Sequence, residues 1–192
     1  MKMQSKITKI KIVNYLINPI NLKDLLKKIV YWKKKKYAHY ICVSNVHSCI
    51  ESYLNQTFKV AHNSADLAIA DGRPIYWALK IIGAKSAEHL PGYYITEKIC
   101  ELANKKNLKI GFYGSTNSNL KKIKSYLKSK YKKLEIKYQY SPPYRKITSL
   151  EDKNIVEKIN KNRIDILFVF LGCPKQELWM HQHKNKLKCT MI

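Results

Sequence analysis

Arginine is nearly absent from this chain: Arg73, Arg145 and Arg163 are the whole complement, while lysine supplies the rest of the 37 basic residues. Sequence-specific nucleic-acid readers lean on arginine's planar, bidentate fork, so dispersed lysine argues against such a reader. Acidic residues are also scarce, 13 in total, which leaves a net charge of +24. The chain is visibly rich in Lys, Ile, Asn and Tyr, all with A/T-rich codons, so part of this charge reflects genome composition. A surplus this large still attracts polyanions: nucleic acid, an anionic membrane surface or phosphorylated small molecules. The five cysteines (Cys42, Cys49, Cys100, Cys173, Cys189) form no CxxC pair and no disulfide-framework spacing, as expected of free thiols in a reducing cytosol. No long apolar run exists. Ile166 to Leu171 falls far short of the roughly 20 residues that span a bilayer, and Met1 to Val13 alternates lysine with apolar residues rather than building a signal-peptide core. These absences describe a cytoplasmic protein, at most peripheral to a membrane. Metal-ligand spacing is missing too. There is no Asp-x-Asp pair, and His181-x-His183 would point in different directions on a helix, so no metal is assigned.

What is present is an alternation of strand-like and helix-like segments within a length suited to one domain, residues 1–192. Strands are expected at Lys9–Val13, Tyr40–Val43, Leu67–Ala70, Lys109–Tyr113, Leu134–Tyr140 and Ile164–Phe170. The last is the most hydrophobic and reads as central, because a parallel strand buried on both faces loses its polar alternation. Helices are expected at Leu22–Trp32 behind an Asn21 cap, Val46–Leu54, Ile75–Ile82 closed by Gly83, Tyr93–Asn104, Asn117–Lys130 and Glu151–Asn160. The fold class is therefore α/β, Rossmann-like, with a mainly parallel doubly wound sheet and helices on both faces. The run Lys33-Lys34-Lys35-Lys36 reads as a solvated loop after a helix, with a membrane-surface contact as the sharper alternative. Cys189 to Ile192 resembles the opening of another strand, from which a C-terminal part is expected to be missing.

In open α/β sheets ligands bind outside the carboxyl ends of the strands. Asp71 ends one such strand in Ala70-Asp71-Gly72-Arg73-Pro74, where it could serve as a base, a ligand contact or an N-cap of the following helix. Three more strand ends share that edge. Val43-Ser44-Asn45-Val46-His47 offers small polar side chains. Tyr113-Gly114-Ser115-Thr116 is a tight turn whose backbone N–H groups suit a phosphate, though it is not a dinucleotide fingerprint. Leu171-Gly172-Cys173-Pro174-Lys175-Gln176-Glu177 starts a helix, with Glu177 reading most simply as a helix-start charge. Between them, Ser141-Pro142-Pro143-Tyr144-Arg145 is either a stiff connection or a stacking ring beside a phosphate partner.

Taken in order, Ser44-Asn45-Val46-His47, Ala65-Asp66-Leu67 through Asp71-Gly72-x-Pro74, Gly83, Pro91-Gly92, Ser141 to Arg145 and Leu171 to Met180 resemble the WecG/TagA/CpsF glycosyltransferases over roughly residues 10–192. The resemblance implies a Rossmann-like cytoplasmic enzyme, peripheral to the inner membrane. Such an enzyme takes a UDP-sugar as donor and a polyprenyl-diphosphate-linked sugar as acceptor, with neither cofactor nor metal. It implies Asp71 as general base, Asn45 in the same pocket, and Pro174 to Glu177 shaping the nucleotide-sugar site. Ser44, His47, Gly72, Gly114, Ser115, Tyr144, Arg145, Gly172, Gln176 and Glu177 complete the expected substrate contacts. The chain departs from the family pattern at Val43, where a threonine is common, and at His89 to Tyr94, where an arginine and an aspartate are common. Two other readings stand beside this one: a shortened family member that binds nucleotide without turnover, and a basic nucleic-acid-binding module. Oligomeric state is left open.

Overall fold

The computed structural model describes residues 8–35 and 37–192, so Met1 to Ile7 and the last lysine of the Lys33–Lys36 run lie outside the described residues. A hairpin opens the chain: β1 (Ile10–Ile12) pairs antiparallel with β2 (Tyr15–Ile17). The expected single strand at Lys9–Val13 is thus the first arm of a two-stranded unit. Next come α1 (Leu22–Trp32), β3 (His39–Ser44), α2 (Val46–Leu54), α3 (Gln56–Asn63), β4 (Leu67–Ala70) and α4 (Arg73–Ile81). Then follow α5 (Gly92–Lys106), β5 (Lys109–Gly114), α6 (Asn117–Lys130), β6 (Glu135–Tyr140), α7 (Ser149–Lys161), β7 (Ile166–Phe170), α8 (Lys175–His183) and β8 (Thr190–Met191).

Six strands form one sheet in the order β4-β3-β8-β7-β5-β6, and every neighbouring pair in it is parallel. Parallel strands need crossovers, and the helices between them cover both faces, as the alternation in the sequence requires. One face carries α1, α5 and α6, whose Leu25, Ile29, Ile95, Ile99, Leu120 and Leu127 pack on Ile41, Ile110, Phe112 and Phe168. The other carries α4, α7, α8 and the hairpin, with Ile75, Leu79, Ile155, Ile159, Trp179 and Met180 around Tyr40, Tyr113 and Leu167. β7 sits between β8 and β5, where the hydrophobic run placed it, and Phe168 stacks on Phe112 at 5.3 Å between ring centres.

Local signals account for most boundaries. Asn21 accepts from the Asp24 N–H at the start of α1, Asn45 and Ser48 form a reciprocal capping box on α2, and Thr148 and Glu151 form another on α7. No helix among the described residues is long and apolar enough to cross a membrane.

Candidate active site

β3 and β4 end side by side, so Ser44 pairs with Ala70 and the next residues, Asn45 and Asp71, leave the sheet together. The Asp71 N–H donates to the Ser44 carbonyl at 2.9 Å, which fixes that exit. Gly72 makes the approach of the two segments feasible. A Cβ there would stand 3.2 Å from the Asn45 Cβ, tighter than ordinary van der Waals contact.

The Asp71 carboxylate does not cap the helix that follows it. α4 begins behind Gly72 with no side-chain cap, and Asp71 Oδ1 instead accepts the Gly92 N–H at 2.7 Å, the first N–H of α5. The cap expected on α4 has moved to α5 because Pro91-Gly92 brings an unpaired helix N-terminus against the end of β4. The carboxylate oxygen thereby satisfies one of the N–H groups that a helix N-terminus leaves without an intrahelical partner. Oδ2 faces the Asn45 amide at 3.4 Å, and the His89 ring bonds the Asp71 backbone carbonyl. Asn45 is itself immobilised: its side-chain oxygen takes the Ser48 N–H at 3.1 Å, and its carbonyl accepts from the Tyr15 hydroxyl at 3.1 Å. A half-buried carboxylate is therefore presented on the rim with one oxygen anchored and the other turned to a neutral amide.

Gly172 and Gln176 form a second group on the rim. The Gly172 N–H donates to Gln176 Oε1 at 3.2 Å, and Gln176 Nε2 donates to Glu177 Oε1 at 3.2 Å. Glu177 is not the solvated helix-start charge the sequence suggested, because its side chain is 1% exposed and its Oε2 has no hydrogen-bond partner. Burial raises its carboxyl above the usual carboxylate range, against the opposing pull of its hydrogen bonds and of nearby His47. His47 stands exposed on the first turn of α2. Gln176 and Gly92 line one cavity of about 470 Å³, together with Val43, Tyr93, Phe170 and Ile192; Asp71 and Asn45 are not among its lining residues, and Asp71 meets it only through its partner Gly92.

The β5 end is built for close approach. Gly114 has φ +107°, and a Cβ there would fall 2.5 Å from the Phe170 carbonyl carbon, so only glycine fits. Ser115 follows in the left-handed region, its N–H donating to the Phe170 carbonyl at 2.8 Å and its carbonyl accepting from the Ser141 hydroxyl at 2.7 Å. These contacts tie the ends of β5, β6 and β7 together.

The remaining expected residues are placed differently. Ser44 is fully buried, and its Oγ pairs with His62 Nε2 at 2.7 Å beneath the rim. Arg145 forks onto Glu151 at 2.7 and 2.9 Å and so secures the start of α7 rather than facing the Asp71 group. Tyr144 is entirely exposed, with the Lys175 ammonium 5.2 Å from its ring centre beside the start of α8. Sequence reasoning missed Gly92 and His89 as partners of Asp71. The signal was Pro91-Gly92, a helix start whose N–H groups need an acceptor.

With this geometry in place, its relatives are informative. Residues 10–192 match the Glycosyl transferase WecG/TagA/CpsF family. The chain belongs to that family. Its curated relatives include N-acetylglucosaminyldiphosphoundecaprenol N-acetyl-beta-D-mannosaminyltransferases. The one from Staphylococcus aureus is 25% identical over 138 residues, 72% of this chain and 52% of the relative. The one from Bacillus spizizenii is 25% identical over 146 residues, 76% and 55% respectively. This WecG/TagA/CpsF chain thus spans about half the length of the curated relatives it matches. Those relatives are named for a polyprenol-linked acceptor and a sugar transfer.

Proposed function

We propose that this chain carries the site of an inverting glycosyl transfer, from a UDP-sugar to a polyprenyl-diphosphate-linked acceptor sugar. N-acetylmannosamine or a related sugar is moved, in the synthesis of a bacterial surface polysaccharide or teichoic acid. The observation that supports this most directly is the Asp71 carboxylate, held on the rim by the Gly92 N–H with its second oxygen beside Asn45. In the step envisaged, an acceptor hydroxyl gives its proton to Asp71 Oδ2 as its oxygen bonds to the anomeric carbon. The bond from that carbon to the diphosphate breaks, and UDP leaves with the electron pair. Asn45 orients the carboxylate, and Gln176 lines the cavity that Gly92, the partner of Asp71, also borders. With no Asp-x-Asp pair to hold a divalent ion, backbone N–H groups and lysines are the expected counterions of the departing diphosphate. The protein works at the inner face of the cytoplasmic membrane, where a lipid-linked acceptor is found.

The test is a screen of UDP-sugars with a lipid-linked N-acetylglucosamine acceptor, using the wild-type chain and Asp71→Asn. The variant is expected to lose about 10²–10⁴-fold in turnover while its UDP-sugar affinity changes by less than about threefold. Near-wild-type transfer by the variant would remove Asp71 from the base role. UDP-sugar binding without transfer by the wild type would favour the nucleotide-binding, non-catalytic reading.

A further inference from the structure

α4 leaves the rim directly behind Asp71-Gly72 and presents two unlike faces. Ile75 and Leu79 are buried in the core, while Trp77, Ile81 and Ile82 on its outer side are 55%, 86% and 57% exposed. Trp77 and Ile81 are four residues apart and so lie one above the other on the helix surface. A soluble helix normally turns charge outward here, and a contiguous exposed stripe of this kind marks an interaction surface. Its electrostatic setting is one-sided. From Gly72 to Ala87 the sequence holds Arg73, Lys80 and Lys85 and no acidic residue. β1 packs along α4 and turns Lys11 to solvent. The Lys80 ammonium lies 5.6 Å from the Tyr76 ring centre and donates to the Lys85 carbonyl at 3.1 Å, which keeps it on the helix flank. At the rim end, Tyr93 beside Gly92 is 79% exposed.

We propose that the outer face of α4, Trp77-Ile81-Ile82 flanked by Arg73, Lys80 and Lys85, docks on an anionic phospholipid bilayer. Apolar and aromatic side chains enter the headgroup boundary while the cations meet lipid phosphates, the pattern of an interfacial helix. Charge decides the occupant, because a surface with four cations and no carboxylate complements an anionic membrane and repels a second copy of itself. This inference rests on the proposed transfer only for its purpose, since the docking is a property of the helix.

Trp77 makes the test specific. The chain has three tryptophans, and Trp32 and Trp179 are buried, so emission changes on a membrane report Trp77. The wild-type chain is mixed with phosphatidylglycerol–phosphatidylcholine vesicles and with pure phosphatidylcholine vesicles, each prepared with or without brominated acyl chains. Blue-shifted, bromine-quenched emission is expected with the anionic vesicles, and at least about tenfold weaker binding with the neutral ones or in 0.5 M salt. Trp77→Phe should still co-sediment while losing the quenching. Ile81→Ser/Ile82→Ser should melt like wild type and bind at least about tenfold more weakly. Co-sedimentation without quenching, equal binding by the double variant, or a dimer whose formation shields Trp77 would each overturn the proposal. The vesicles contain neither donor nor acceptor, so this result is independent of transfer. Transfer to a detergent-solubilised acceptor reads the proposed function separately.

Discussion

Asp71 and Glu177 show how differently two carboxylates of one rim are treated. Asp71 is half-buried and anchored on a helix N-terminus, while Glu177 is buried with one oxygen unpartnered and its carboxyl raised above the usual range by that burial. A carboxyl whose folded pKa is raised binds its proton more tightly when folded. Its contribution to stability is therefore full below the unfolded value and is lost as pH rises through the folded value. Glu177→Gln keeps an oxygen for the Gln176 amide and removes this loss. The variant is expected to gain about 1 kcal/mol over wild type at pH 8 and less at pH 4.5, read from urea midpoints. Asp71 was legible in the sequence because a strand-ending carboxylate before Gly-x-Pro is a local pattern. Its bond to Gly92 was not, because that contact joins segments 21 residues apart through the packing of α5. Ser44 was misplaced for a related reason. Alternation along a strand says which side chains share a face, and here the Ser44 face leads inward to His62.

At the scale of elements, caps carried the legible information. Asn21 and Asn45 start α1 and α2 where their side chains close the first turn, and Thr148 does the same for α7 with Glu151. Thr148→Ala is expected to cost about 1 kcal/mol of stability in urea melts. A larger loss would show that Arg145, which also holds Glu151, depends on the same turn. That contact explains why Arg145 was read as a phosphate partner: nothing in Tyr144-Arg145 announces that a helix cap six residues on will claim the guanidinium. α3 was missed because Asn55 ends α2 and caps α3 at once, leaving no glycine or proline to mark two helices. The β1–β2 hairpin was half seen. Its turn carries Val13 at φ +54°, a residue that hides a tight turn from any reading based on Asn-Gly or Gly signals.

The whole molecule answers to pH through its interior. Burial brings the His62 imidazole down to about 4, so it stays neutral in the folded protein where the unfolded chain would protonate near 6.5. A depressed histidine leaves stability intact above the unfolded value and drains it as pH falls toward the folded value. The wild type should therefore lose about 3 kcal/mol between pH 6.5 and 4 from this group. His62→Gln, which retains a partner for Ser44, should show a visibly flatter profile over that window in urea unfolding at several pH values. Asp66 follows at lower pH. Its burial raises the carboxyl, but bonds from His39, Lys184 and the Tyr40 N–H outweigh it and leave it below the usual value. Strand-helix alternation made the parallel sheet legible at this scale. Strand order was not legible, because it is decided by which helix covers which face.

That order has a temporal side. β4-β3 and β7-β5-β6 are joined through β8, whose Thr190 and Met191 pair with His39 and Tyr40 on one flank and with Ile166 and Leu167 on the other. A seam made by positions some 150 residues apart in the chain closes late, because both banks must already be in place to receive it. During synthesis on a ribosome the two halves of the sheet would wait, each with an open edge, until the segment beginning at Thr190 emerges to join them. Chaperone protection is most needed in that interval.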